Sequence, residues 1–427
     1  MLIAVSDRTT PVDWAGGEKA RDVMRSVFSK WLGMFALACV VSFGVASCSS
    51  DPAPSQTGGT GGDGMGGTGG DGMGGTGGDG MGGTGGDGTG GTGGQAALTQ
   101  FAYVTNLISD NVSQYGIGAD GKLSKLSPAT VTAGSRPGSI AVDPSGQFVY
   151  VTNRDDNVSQ YGIGADGTLS PLSPATVTAG DYPRFIAVDP SGRFAYVTNG
   201  NSDNVSQYGI GADGTLSPLS PATVTAGLDP RSIAVDPSGQ FAYVTNLDSD
   251  NVSQYGIGAD GTLSALSPAT VMAGDDPTSI AVDPSGRFAY VTNLFSENVS
   301  QYGIGADGTL SPLSPAAATT GGNPGSIAVD PSGQFAYVTN TNSYGISQYG
   351  IGADGTLSPL SPAAAALGSE TASIAVDPSG QFAYVPNGNR DSVYQYSIGA
   401  DGTLSPLLPS IVMAGDIPGS IAVTLSR

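Results

Sequence analysis

The sequence predicts an all-β fold, a seven-bladed β-propeller of four-stranded antiparallel blades. Three observations predict it. A phenylalanine that opens one recurring phrase returns at positions 101, 148, 194, 241, 288, 335 and 382, a spacing of 46 or 47 residues. A fixed period of that size marks a repeat architecture. Each copy holds four short β-prone runs separated by turn residues, the content of one propeller blade. Finally, the array opens with a second strand at Phe101 and closes with a first strand around Ile421. Residues 419–424 therefore complete the blade begun at 101, and the ring closes. An open solenoid would instead carry capping repeats.

The copy starting near Ser139 justifies each element in turn. Ser139-Ile-Ala-Val142 is the first strand, rich in β-formers. Asp143-Pro-Ser-Gly146 suits a type I turn, because proline presets φ at its second position and glycine closes it. Phe148 to Thr152 is the second strand and Asn157 to Ile163 the third. Ala165-Asp-Gly167 is a hairpin signal, since Asp-Gly tolerates positive φ. Thr168 to Leu172 is a weaker fourth strand that Pro171 confines to an edge. A blade alone cannot cover both its faces, and stacking seven does.

The chain before the repeats has another character. Trp31 to Gly44 is apolar, with Arg25 and Lys30 ahead of it, which reads as a secretory signal. Val45-Ala-Ser-Cys48 resembles the lipobox of bacterial lipoproteins, which implies cleavage before Cys48 and its lipidation. Residues 1–47 are thus a signal region whose natural start is Met24. Residues 48–97 are the lipidated cysteine and a linker that repeats Thr-Gly-Gly-Asp-Gly-Met-Gly-Gly. With almost nothing apolar to bury it is expected to stay a coil, spanning roughly 35–42 Å. The propeller occupies 98–427. The only other cysteine, Cys39, lies in the discarded signal, so no disulfide is expected.

Charge and composition exclude several functions. The net charge of −21 opposes nucleic acid and anionic lipid, leaving the lipid anchor as the one expected membrane contact. The chain has no histidine, which removes Ser-His-Asp and Cys-His chemistry and His-ligated metals. Gly162-Ile-Gly-Ala-Asp-Gly167 matches a dinucleotide-binding pattern but leads into a strand, with no helix to receive a phosphate. Neither a cofactor nor a metal is expected.

Comparing the copies places the candidate site. The turns after the first and third strands barely change, while the connections after the second strand and before the first do. In an up-and-down blade those two variable connections share a face. Variable loops on a rigid frame are where binding usually sits. Arg136, Arg184 and Arg231 are nearest the channel there, with Asp181, Asp229, Asp275, Asp276 and Glu370 among them. The binding candidates on this face are Arg136, Arg154, Tyr182, Asp275, Asp276 and Arg390. Arginine forks can clamp a carboxylate or phosphate; ordinary surface ion pairing is the plainer alternative.

Phe241-Ala-Tyr-Val-Thr-Asn246, Asn251-Val-Ser-Gln-Tyr255 and Ile233-Ala-Val-Asp-Pro-Ser-Gly239 resemble the YVTN-type propellers of the seven-bladed lactonase family, which includes 6-phosphogluconolactonase-like and carboxymuconate cyclase-like proteins. The resemblance covers 101–427. It implies polar residues, histidine among them, just after the proline that opens the first strand. Here those positions hold Gly138, Arg184, Arg231, Thr278, Gly325 and Gly419. The near-interchangeable copies favour a lipid-anchored extracytoplasmic scaffold of the cell envelope, periplasmic or at the cell surface. Its variable face would bind an unidentified ligand or envelope protein. The alternative is a lactone hydrolase with Arg184 or Arg231 as electrophile and Asp181, Asp229 or Glu370 as base.

Overall fold

The computed structural model describes residues 100–343, 345–366 and 373–424. Within them the strands form seven four-stranded antiparallel sheets. Blade 1 shows the pattern: β4 (Pro137–Val142), β5 (Phe148–Asn153), β6 (Asn157–Ile163) and β7 (Leu169–Thr178) follow one another from the channel outward. Blades 2 to 6 repeat it over 183–225, 230–272, 277–319, 324–366 and 375–413. Blade 7 joins the chain's two ends. Its innermost strand is β28 (Pro418–Val423), paired antiparallel with β1 (Gln100–Asn106), then β2 (Asn111–Ile117) and β3 (Leu123–Thr132).

The expected closure is therefore present. Tyr103 pairs with Ala422 and Val104 with Ile421. The Phe101 N–H donates to Thr424 Oγ1 at 2.9 Å, and the Thr424 N–H to the Phe101 carbonyl at 2.9 Å. The signal region 1–47, Met24, Cys48 and the linker up to residue 97 lie outside the described residues, as does Glu370.

The core lies between blades. One cluster joins Phe101 and Tyr103 of blade 7 to Ile140, Val149, Val151 and Leu169 of blade 1. The repeated residues are the ones that stitch neighbours together. In every blade a buried tyrosine donates to the carbonyl of a glycine in the next: Tyr103 to Gly167, Tyr150 to Gly214, and so round to Tyr384 and Gly121, at 2.7–2.8 Å. Those glycines sit at positive φ, with the recurring phenylalanine packed where a Cβ would fall; Gly355 lies on Phe288 in this way. A glutamine of each blade accepts the N–H of a leucine in the next at 2.6 Å, closing with Leu123 onto Gln395. A polar group buried in this way must keep its partner, which explains why Tyr, Gln and Gly recur together.

The turns behave as expected. Gly146 N–H donates to the Asp143 carbonyl and Gly167 N–H to that of Gly164, both at 2.9 Å. One expectation is corrected. The fourth strand is not a short run ending at Leu172 but ten residues, Leu169–Thr178, with a bulge opposite Ser159 and Tyr161. Pro171 and Pro174 are tolerated because this outermost strand has only one neighbour and needs no N–H on its free side. Gln160 reaches across to the Pro174 carbonyl at 3.1 Å. Blade 6 departs most: its inner strand β24 covers only Ala375–Val376, and Pro386 stands where the other blades have threonine.

Candidate functional site at the channel mouth

The two variable connections do share a face. Leu107 N–H donates to the Ile417 carbonyl, Gly200 to Tyr182 and Leu247 to Asp229, each at 3.0 Å, so each loop after a second strand rests on the loop before a first strand. Between them the channel opens as a cavity of about 440 Å³, within the range of small-molecule sites. All seven blades contribute to its wall. Among the described residues, Arg154, Arg184 and Arg231 are the charged ones lining it. The rest is small or neutral: Gly138, Gly325, Gly388 and Gly419, and serines of six blades, Phe185 replacing the serine in blade 2.

Two positions flanking the strand-opening proline build the charged sector. Arg184 and Arg231 follow Pro183 and Pro230. Tyr182 and Asp229 precede them, at φ of 60° and 46°. Asp229 bridges the two arginines. Arg184 Nη2 lies 3.0 and 3.1 Å from its carboxylate oxygens, and Arg231 Nη2 lies 3.2 Å from Oδ2. The pairs are largely desolvated, with side-chain exposures of 17% for Arg184 and 11% for Asp229. Tyr182 bridges on the other side, with the Arg184 guanidinium 4.3 Å and the Arg154 guanidinium 5.0 Å from its ring centre. The contacts therefore run Arg154, Tyr182, Arg184, Asp229, Arg231.

Three cations in the wall, against the one carboxylate of Asp229 that pairs with two of them, make this sector positive in a chain of charge −21. Burial first, then Arg231, pushes the Arg184 pKa down to about 10, against the opposing pull of Asp229; it stays protonated at neutral pH. Burial likewise lowers Arg154, with Tyr182 opposing and the cations Arg136 and Arg231 adding to the shift. The Nε atoms of Arg184 and Arg231 and the Ser232 hydroxyl are buried without a hydrogen-bond partner. Such unpaired donors leave the wall short of acceptors.

Among the sequence candidates, the structure brings together Arg184, Arg231, Asp229, Arg154 and Tyr182. It leaves others apart. Arg136 does not join Arg184 and Arg231 as expected; it is exposed, and its N–H donates to Asp110 Oδ1 at 2.7 Å. It precedes its proline, whereas the two channel arginines follow theirs, and Gly138 takes the channel position in that blade. Asp181 is exposed, with its N–H on Ser202 Oγ, so it does not stand beside Arg184 in the cavity wall. Asp275 is exposed on its loop, and Arg390 ends a 3₁₀ turn, Gly388–Arg390, also exposed. Asp276 is buried, its N–H on Asp250 Oδ1 at 2.9 Å.

Gly200 was missed by sequence reasoning. A Cβ there would lie 2.6 Å from both Arg184 Nε and Asp229 Oδ1. The ion pair therefore needs glycine at this point. The signal available was that Gly200 occupies the place of Arg154 one copy earlier. No group of three or more metal-ligating side chains occurs among the described residues.

The lactonase family model, a seven-bladed β-propeller, matches residues 96–225 and 208–366, more than half of the chain. No curated protein sequence matches. Solved structures share the fold. The periplasmic gluconolactonase of Pseudomonas aeruginosa superposes with a TM-score of 0.65 at 21% identity, covering 77% of this chain and 100% of that one. A candidate 6-phosphogluconolactonase from Bacteroides fragilis gives 0.65 at 19%, covering 77% and 98%. Hydrazine synthase from Kuenenia stuttgartiensis gives 0.55 at 18%, covering 70% and 92%. At these identities the likeness speaks for fold, and the last shows how far functions diverge on it. The family itself rests on the sequence model: the chain belongs to the lactonase family of seven-bladed β-propellers.

Proposed function

We propose that the chain opens a small lactone carrying an anionic group, bound at the channel mouth. The observation that carries this reading is the convergence of Arg154, Arg184 and Arg231 on one sector of the cavity with a single carboxylate among them. Hydrolysis adds water to the lactone carbonyl carbon and breaks the ring C–O bond. The ring oxygen takes a proton and leaves as a hydroxyl, giving a hydroxy acid. Negative charge develops on the carbonyl oxygen as water adds, and Arg184 and Arg231 are placed to stabilise it. Asp229 orients both guanidinium groups. Its carboxylate offers about four acceptor directions, of which their three contacts use three, leaving one for the attacking water.

Family membership supports the hydrolase over a pure scaffold, which gains no support of its own from the fold or the relatives. The names of the similar structures, a gluconolactonase and a candidate 6-phosphogluconolactonase, set the first substrates to try. We also propose that the protein works outside the cytoplasm, anchored through Cys48. The periplasmic location named for the Pseudomonas relative is compatible with that.

The test is acid release, followed by pH-stat above the spontaneous rate, from gluconolactone, its 6-phosphate and an uncharged lactone of the same ring size. The expected result is turnover that is fastest on the charged substrate. Equal and background-level rates on all three would leave the site a binding pocket and remove the hydrolase.

A further inference from the structure

Tyr182 and Asp229 stand at the same place in successive repeats, one residue before the proline that opens the innermost strand. The backbone there takes positive φ in the other described copies too, at Arg136, Asp276, Asn323 and Ile417. A bulky residue is rare in that region, so the repeat frame imposes the conformation and the side chain is what varies. Each of the two residues bridges a pair of cations: Asp229 between Arg184 and Arg231, Tyr182 between Arg154 and Arg184. The difference is charge. A carboxylate cancels one unit of the pair it bridges. An aromatic ring attracts both cations through its quadrupole and cancels nothing.

We infer that Tyr182 is a positioning residue that holds Arg154 beside the Asp229-paired Arg184 without adding a second anion, so that the run of three arginines and one carboxylate keeps two positive charges and this edge of the cavity is tuned to doubly charged oxyanions. The inference rests on the reading of the mouth as an anion site. The two guanidinium groups, 5.0 and 4.3 Å from the ring centre, would otherwise repel and swing apart, since long side chains have rotamers to escape into. Burial and the neighbouring cations that depress both arginines show the crowding the ring has to hold. Gly200 leaves room for Arg184 to reach the Asp229 carboxylate while also lying at the ring.

The experiment is calorimetric titration of the intact protein with inorganic sulfate, a dianion, and with acetate, a monoanion, alongside each variant's unfolding midpoint. Wild type is expected to prefer sulfate. Tyr182→Leu should weaken sulfate about tenfold while moving acetate less than about threefold, the size expected for two lost ring contacts. Tyr182→Phe keeps the ring and should restore sulfate binding to within about threefold. Tyr182→Asp should erase the preference. If Tyr182→Leu does not fold, the Phe and Asp variants decide alone. Sulfate binding unchanged in Tyr182→Leu or Tyr182→Asp, equal losses of sulfate and acetate, or no sulfate binding by wild type would overturn the inference. Because hydrolysis is not read, Tyr182-dependent sulfate binding without lactone turnover would sink the reaction and leave this inference standing.

Discussion

Blades 1, 5 and 7 open their innermost strands with Pro137-Gly138, Pro324-Gly325 and Pro418-Gly419, whereas blades 2 and 3 open theirs with Pro183-Arg184 and Pro230-Arg231. The backbone is shared and so are the stitches behind it. Thr105 accepts the Ser420 N–H in blade 7 at 2.9 Å, as Thr245 accepts the Ser232 N–H in blade 3 at 3.0 Å. What differs is the side chain that enters the channel. The glycine sector leaves space and the arginine sector supplies charge, and together they make one asymmetric cavity from nearly symmetric blades. The site's charge thus comes from positions that the Tyr, Gln and Gly stitches do not use.

That division can be broken from either side. The largest effect should come from the framework. Phe288 is buried in blade 4 beneath Gly355, and Phe288→Ala should cost about 3–5 kcal/mol of stability, read as a shift in denaturant midpoint. Turnover per folded molecule should stay unchanged. A smaller effect should come from space alone. Gly200→Ala forces the Arg184–Asp229 pair to move, and activity should fall roughly tenfold with little loss of stability. Its counterpart Gly388→Ala faces Ile417 Cγ2 at 3.2 Å instead and should change activity less than about twofold. Comparing the two rates checks whether charge geometry or loop shape matters.

The smallest effect over the working range should come from pH. With no histidine, no side chain titrates near neutrality at its ordinary pKa. A second set of tyrosines also links blades: the Tyr115, Tyr208 and Tyr302 hydroxyls donate to the Met413, Thr178 and Met272 carbonyls, and burial raises all three to about 12. A group raised in the folded state gives stability that is complete below its unfolded value, about 10, and is lost as pH climbs toward the folded value. The turn carboxylates Asp166 and Asp213 are lowered by hydrogen bonds from Thr168 and Thr215, so their share is lost only as pH falls through the acid range. The unfolding midpoint should therefore be flat from about pH 5.5 to 9.5 and drop above 10. A step near pH 6.5 would contradict this.

The sequence made the ring legible because its framework residues recur. The half-blade at Phe101 and the strand at Ile421 had to meet. Arg184 and Arg231 were legible as breaks in a pattern where glycine also occurs. Arg136 misled because a shift of one residue across a proline moves a side chain from the channel to the rim. The bridging by Asp229 and Tyr182 could not be read, since it depends on which loop folds over which neighbour. Gly200 shows the same limit: its meaning is a distance to two atoms far away in sequence. The outer strand was read too short because prolines hide a strand that needs pairing on one side only.

The most direct test of the account is lactone hydrolysis by the Arg184→Met, Arg231→Met double variant beside wild type, with unfolding midpoints measured on both. The account predicts a loss of at least about a hundredfold in kcat/KM with only a modest drop in stability: Asp229 loses its partners, but Thr152 and Thr198 hold both positions across blades through backbone carbonyls that methionine keeps. A folded double variant that opens the charged lactone at the wild-type rate would contradict it.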